Sequence, residues 1–144
     1  MSVYGSILTA CKSLILTIPG VTSGQVKIRK RPVFIAGVDT LPFYCLSPRR
    51  RVVRKYVMKD TVEYGYPVLV TYWQEAKFDF ETVEAELAAF EAVAGKLMTL
   101  SLSGVPTVTD FKYDPQPDFD LPAVDAAFDL SAQEFTYISQ QLWR

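Results

Sequence analysis

The chain has 144 residues, 49% of them apolar and 22% charged, with nine prolines, seven glycines and no low-complexity tract. That is the length of one domain, with enough apolar content to build a core without disulfide or metal staples. It contains no histidine, which removes the usual general base near neutral pH and the commonest metal ligand.

The formal net charge of −1 hides an asymmetry. Residues 1–60 hold eleven Lys and Arg against two Asp and Glu, a surplus of nine positive charges. Residues 61–144 hold four against fourteen, a surplus of ten negative charges. A chain divided in this way is attracted to copies of itself, unless folding interleaves the halves and cancels the field.

Ser2 is placed to cap a helix running to about Thr17, with Tyr4, Ile7, Leu8, Cys11, Ile15 and Ile18 as its apolar stripe and Thr9, Lys12 and Ser13 facing away. Lys12 interrupts this apolar segment, and neither a basic leader nor a small-residue cleavage site flanks it. It therefore reads as a folded helix and not a signal peptide. No stretch approaches the ~18 consecutive apolar residues of a membrane span. Pro19-Gly20 ends the helix. A short strand follows over Gln25 to Arg29, in which Val26 and Ile28 alternate with Lys27 and Arg29 and are expected on a buried face. Val33 to Ile35 is either a short strand or an extended loop, and Gly37-Val38-Asp39 is a turn.

Leu41 to Leu46 reads as a strand, broken by Ser47-Pro48. Val52 to Lys59 is a further strand of poor alternation and open register. Asp60-Thr61 turns into Val62–Trp73, whose core Val68-Leu69-Val70-Thr71-Tyr72-Trp73 is β-branched, aliphatic or aromatic throughout. Gly65-Tyr66-Pro67 marks a bulge, kink or strand edge within it. A long helix is expected from an N-cap at Asp79 to Met98. Its stripe of Phe80, Val83, Leu87, Phe90, Ala94 and Leu97 should lie on the sheet face carrying Val68, Val70 and Tyr72. Glu81, Glu84 and Glu86 near its start and Lys96 near its end suit the helix dipole.

After Ser103-Gly104-Val105-Pro106, Thr107 to Tyr113 reads as a strand with Phe111 and Tyr113 on one face. Asp114 to Pro122 reads as loop, and Val124 to Phe128 as a single turn of helix. Gln133 to Ile138 is the last strand, with Phe135 and Tyr137 on one face, before a tail over 140–144. The order predicts an α+β domain over residues 1–144. It has a mostly antiparallel sheet with a long β-hairpin, and an N-terminal helix and a central helix packed on the sheet.

Candidate chemistry is sparse. Arg49, Arg50 and Arg51, with Arg54, Lys55 and Lys59 beyond them, form the densest basic segment, and Lys27, Arg29, Lys30 and Arg31 are able to join it in space. Such a segment contacts nucleic-acid phosphates or an acidic protein surface, or else is a solvated hairpin tip. Asp110, Asp114, Asp118, Asp120, Asp125 and Asp129 form an acidic run without the spacing of a calcium loop. Cys11 and Cys45 lack paired-ligand spacing and read as two free, half-buried thiols. There is no glycine-rich phosphate loop, no Gly-x-Ser-x-Gly elbow and no Cys–His pair. No catalytic, cofactor or metal residues are expected, and the chain is not expected to be an enzyme.

With these elements in place, the chain resembles, over nearly its whole length, the tail terminator family of long-tailed phages and phage-like particles. The features that carry the resemblance are the early helix ending in Pro19-Gly20 and the Pro32 segment before the hairpin. To these are added the run Glu63-Tyr64-Gly65-Tyr66-Pro67-Val68-Leu69-Val70, the Phe80–Leu97 helix, and the pattern Ser131-Ala132-x-x-Phe135-x-Tyr137 near the end. The resemblance implies a virion protein of the tail or neck, assembled in the host cytoplasm. It would form a homo-oligomeric ring, usually a hexamer, that ends the tail tube and joins it to the head-side connector. Its partners would be the tail tube protein and a head-completion or connector protein, with non-specific DNA close by in the lumen and no membrane. Other neck, head-completion and minor tail proteins share the architecture. A nucleic-acid-binding accessory domain that uses the basic hairpin is the alternative of a different class.

Overall fold

A computed structural model describes residues 2–50, 52–58, 61–75, 80–97, 108–113, 118–121 and 128–142. The first helix, α1, spans Val3–Ile15. Ser2 caps it as expected, its hydroxyl accepting a hydrogen bond from the Gly5 amide at 2.9 Å. Ile7, Leu8, Cys11 and Ile15 are buried, while Thr9 and Ser13 are exposed. The chain leaves the helix through Gly20, whose φ of 86° suits a residue without a side chain.

Strand β1 is Val26–Ile28, β2 is Phe43–Pro48 and β3 is Val52–Met58. Strand β4 is Thr61–Glu75, helix α2 is Phe80–Leu97, and β5 is Val108–Tyr113. Strands β6 and β7 are Asp118–Leu121 and Phe128–Leu142. The sheet order is β1-β2-β4-β7-β5, with β3 also on β4 and β6 also on β7. All pairings are antiparallel except β1 with β2, which is parallel. The α+β class, the mostly antiparallel sheet, the long hairpin of β3 and β4, and the two helices are all as the sequence predicts.

The sheet is built on β4 and β7, which pair from Thr61↔Leu142 to Glu75↔Phe128 without a shift of register. Each flank of this central pair carries a path in two pieces. On the β4 side, β2 faces residues 68–73 and β3 faces residues 61–65. On the β7 side, β5 faces residues 135–139 and β6 faces residues 130–132.

Alternation along β4 gives the two faces their roles. Val62, Tyr64, Tyr66, Val68, Val70 and Tyr72 join the main core with Phe135 and Tyr137 of β7. Ile7, Cys11 and Ile15 of α1 close this core, together with Phe90, Val93 and Leu97 of α2. Tyr72 and Phe90 meet edge to face, with ring centroids 6.3 Å apart. On the opposite face a smaller cluster of Phe43, Cys45, Trp73 and Leu130 lies under Phe34 and Leu41 from the loop after β1.

Several expectations are corrected. The buried face of α2 is Glu86, Ala89, Phe90, Val93 and Leu97; Val83 and Leu87 are exposed. The stripe is rotated from the one expected and carries Glu86 inward, where its Oε1 accepts a hydrogen bond from Gln74 Nε2 at 2.8 Å. Ser47-Pro48 does not break β2, which runs to Pro48 opposite Val68. Asp118–Leu121, expected as loop, forms β6 because β7 offers it a ladder. Phe128, expected in a helical turn, begins β7. Ile28 is exposed at the sheet edge, whereas Val26 is buried under α1. Val33 to Ile35 takes the loop alternative. Residues Asp79, Met98, Ser103–Pro106 and Val124–Ala127 lie outside the described residues, as do the side chains of Phe80, Phe111 and Tyr113.

Gly65-Tyr66-Pro67 is neither a bulge nor an edge. All three residues are buried and in register with β7. The Pro67 carbonyl accepts a hydrogen bond from the Arg49 amide at 3.3 Å, so it points toward the β2 side. In a strand the nitrogen of a residue points to the same side as its carbonyl. The missing N–H therefore falls at the junction between β2 and β3, where no regular ladder partner stands opposite. A proline is tolerated in a central strand for that reason.

Candidate functional site

The basic segment follows from this junction. Arg49 and Arg50 occupy the step from β2 to β3, and both are exposed. They lie beside the middle of β4 and not at the hairpin tip. The Tyr4 hydroxyl of α1 fastens the step. It accepts a hydrogen bond from the Arg49 amide at 2.7 Å and lies 2.8 Å from the Arg49 carbonyl. The Pro67 carbonyl is also within its reach. A phenol carries one proton, so it donates to one of these carbonyls at a time. Burial raises the Tyr4 pKa, opposed in part by its bond to the Arg49 backbone. The Tyr4 ring stands edge-on to Tyr66 at 5.1 Å between centroids.

The Arg49 guanidinium reaches toward Glu134 of β7, with Nε to Oε2 at 3.8 Å and both side chains largely exposed. An exposed pair at this distance contributes about 0–1 kcal/mol. It leaves most of the charge of Arg49 available to another surface. Strand β3 carries Arg54 and Lys55. Lys55 stands opposite Glu63 in register, and Arg54 falls at the irregularity between Val53 and Lys55. The side chains of Arg54 and Lys55, and all of Arg51 and Lys59, lie outside the described residues. The hairpin is laid into the body along β4, where Val62, Glu63 and Tyr64 are buried.

The second basic group, Lys27, Arg29, Lys30 and Arg31, lies on and just after β1, which runs parallel beside β2. Arg29 turns back onto Asp39. Nη2 meets Oδ1 at 2.7 Å, Nη1 is bonded to Oδ2, and the Asp39 carboxylate also accepts from the Ile35 amide at 2.7 Å. Arg29 Nη1 donates to the Val33 carbonyl at 3.0 Å, and the guanidinium lies 5.4 Å over the Phe43 ring. Burial pushes the Asp39 carboxyl up, but the Arg29 and Ile35 hydrogen bonds and the charge of Arg29 outweigh it and hold it below its usual value. This lock was not legible in the sequence, because ten residues separate the partners and nothing in their spacing marks a pair.

Strand order keeps the charge asymmetry of the sequence. The strands β1, β2 and β3 come from the basic half and occupy one side of the sheet. The strands β4 to β7 come from the acidic half, with β5 and β6, which carry Asp110, Asp118 and Asp120, at the other side. The two halves therefore lie side by side across the sheet and do not alternate strand by strand.

Cys11 and Cys45 are free thiols, and both are fully buried, deeper than the half-burial expected. Burial pushes the Cys11 thiol up to about 12, with partial relief from Tyr137. Such a thiol is a packing group and not a nucleophile. Among the described residues no group of three or more His, Cys, Asp or Glu could hold a metal ion, and no helix is long and apolar enough to cross a membrane. Comparison with protein-family models and with curated proteins finds no match.

Proposed function

We propose that this chain is a structural subunit of a phage tail, a terminator that assembles into a ring, ends the tail tube and joins it to the head-side connector. The observation that carries the reading is the placement of the two charged halves at opposite sides of one sheet. A subunit with unlike sides associates head to tail, and a head-to-tail contact closes into a ring when its rotation permits. The order of helix, hairpin, helix and closing strand agrees with the architecture implied by the resemblance to the terminator family. The role is one of assembly, with no catalysis and no cofactor. Arg49, Arg50 and Arg51, with Arg54, Lys55 and Lys59, serve it as a surface for an acidic neighbour.

The test is solution mass and negative-stain imaging of the purified chain, followed by its addition to growing tail tubes. The reading expects rings, hexameric in the usual case, and tubes that stop growing when capped. Reversing Arg49, Arg50 and Arg51 to Glu should leave the subunit folded and block ring formation or docking onto the tube. Normal rings and normal capping, with loss only of salt-sensitive binding to duplex DNA, would assign this segment to nucleic acid instead.

A further inference from the structure

Six large apolar side chains are exposed among the described residues, and they fall into two groups. Ile28, Val33, Ile35 and Val38 belong to β1 and the loop after it; Val83 and Leu87 belong to α2. Each group is set among charges of one sign. Lys30 and Arg31 are exposed beside the first, and Glu81, Glu84 and Glu91 beside the second. The two surfaces are therefore alike in apolar character and opposite in charge.

They do not cover each other within one copy. The α2 helix lies on the sheet face of Tyr72, through Phe90. The loop lies on the opposite face, where Phe34 packs on Phe43 and Trp73 at 5.6 and 6.4 Å between ring centroids. Tyr72 and Trp73 are successive residues of β4, so their side chains leave the sheet on opposite sides. The loop is also shaped in advance. Phe34 anchors it inward while Val33 and Ile35 point out, and the Arg29–Asp39 lock with the Ile35 amide holds that alternation. A surface already held in shape loses little conformational freedom on binding.

We propose that the loop of residues 30–38 in one copy docks on the exposed flank of α2 in the next copy. Val33, Ile35 and Val38 meet Val83 and Leu87 at the centre of the contact. Lys30 and Arg31 face Glu81, Glu84 and Glu91 around it. Apolar contact at the centre supplies the binding, and the opposed charges at the rim set the orientation. The two surfaces differ, so the contact is heterologous and each copy uses both, once toward each neighbour. This contact rests on the ring reading above and names the surfaces that would close the ring.

The test uses two full-length variants, Val38→Asp on the loop and Leu87→Asp on the helix, with Val33→Asp and Val83→Asp as a second pair. All four positions are exposed in the single chain, so each variant should fold and keep the wild-type circular dichroism spectrum. Mass is read by light scattering after size exclusion. The expected result is a ring for the wild type and a monomer for each variant alone. An equimolar mixture of one loop and one helix variant should give a heterodimer, because it holds a single intact loop facing a single intact helix. Wild-type rings that persist in the variants would overturn the contact and leave the ring reading standing. Monomeric variants that fail to pair when mixed would overturn the head-to-tail match. A wild-type chain that stays monomeric would overturn the ring reading and the contact together.

Discussion

Arg29 and Asp39 grip each other through two parallel hydrogen bonds, and in doing so they tie the end of β1 to the far end of the loop that follows it. The carboxylate is buried and the guanidinium nearly so. Replacing Asp39 with Ala leaves a charged donor group without its partner and releases the Ile35 amide. A loss of roughly 3 kcal/mol is expected in urea unfolding. The pH dependence has a definite sign. A carboxyl held below its usual value contributes stability above its ordinary pKa of 3.8, and loses it as pH falls from there through the folded value. Asp39→Asn should remove that part of the acid sensitivity, measured as Tm between pH 5 and 2.

The face of α2 is tested by truncation. Phe90, Val93 and Leu97 are buried to within a few per cent. Leu97→Ala should cost about 2–5 kcal/mol and Phe90→Ala about 3–5 kcal/mol. Leu87→Ala and Val83→Ala should move the unfolding midpoint of the single subunit far less, because those side chains are already in contact with water. A Leu87→Ala loss equal to that of Leu97→Ala would place the helix in a different rotation.

Cys11 is expected to resist alkylation in the folded chain and to react once denaturant is added, because its thiol is buried and pushed up to about 12. The same shift predicts an alkaline limit. A group whose folded pKa is raised contributes stability below its ordinary value of 9.0 and loses it as pH rises toward about 12. Tyr72, also pushed up to about 12 by burial, acts in the same direction from its ordinary 10.0. Cys11→Ala should flatten the first part of this decline, read as Tm between pH 8 and 11.

Tyr4→Phe removes the hydroxyl that fastens the step between β2 and β3 and keeps the ring against Tyr66. A loss of about 1 kcal/mol is expected. Faster hydrogen exchange should follow at the Arg49 amide, since its remaining acceptor is the Pro67 carbonyl at 3.3 Å. Unchanged exchange at Arg49 would mean that the Pro67 bond alone holds the step.

Local signals made much of this fold legible. The Ser2 cap, the strand around Val68–Trp73 and the burial of Phe135 and Tyr137 follow from capping chemistry and alternation. What escaped depends on partners distant in the chain. Residues of α2 advance by about 100° each, so Val83 and Leu87 sit only about 70–110° from the centre of the buried stripe. Their apolar character made them as plausible as Ala89 and Val93. Glu86 reads only as a charge suited to the helix dipole, because its partner Gln74 lies on another element. Gly65-Tyr66-Pro67 reads as a bulge, kink or edge because the gap opposite Pro67, between β2 and β3, is a property of two neighbouring strands together. Of the candidate site, the basic character of Arg49 and Arg50 was visible, but their fastening to Tyr4 was not, since forty-five residues separate Tyr4 and Arg49.

The uninterrupted register of β4 on β7 has a mechanical consequence. The two strands lie side by side over fifteen residue pairs, a length of about 50 Å at the usual rise per residue. Their hydrogen bonds run across the strands, so opposed pulls along the two strands load the whole row in shear. The bonds then share the force and must yield together, whereas a pull across the sheet would peel them one after another. Stretching a single subunit along the strand axis should therefore demand a much higher rupture force than pulling it across the sheet.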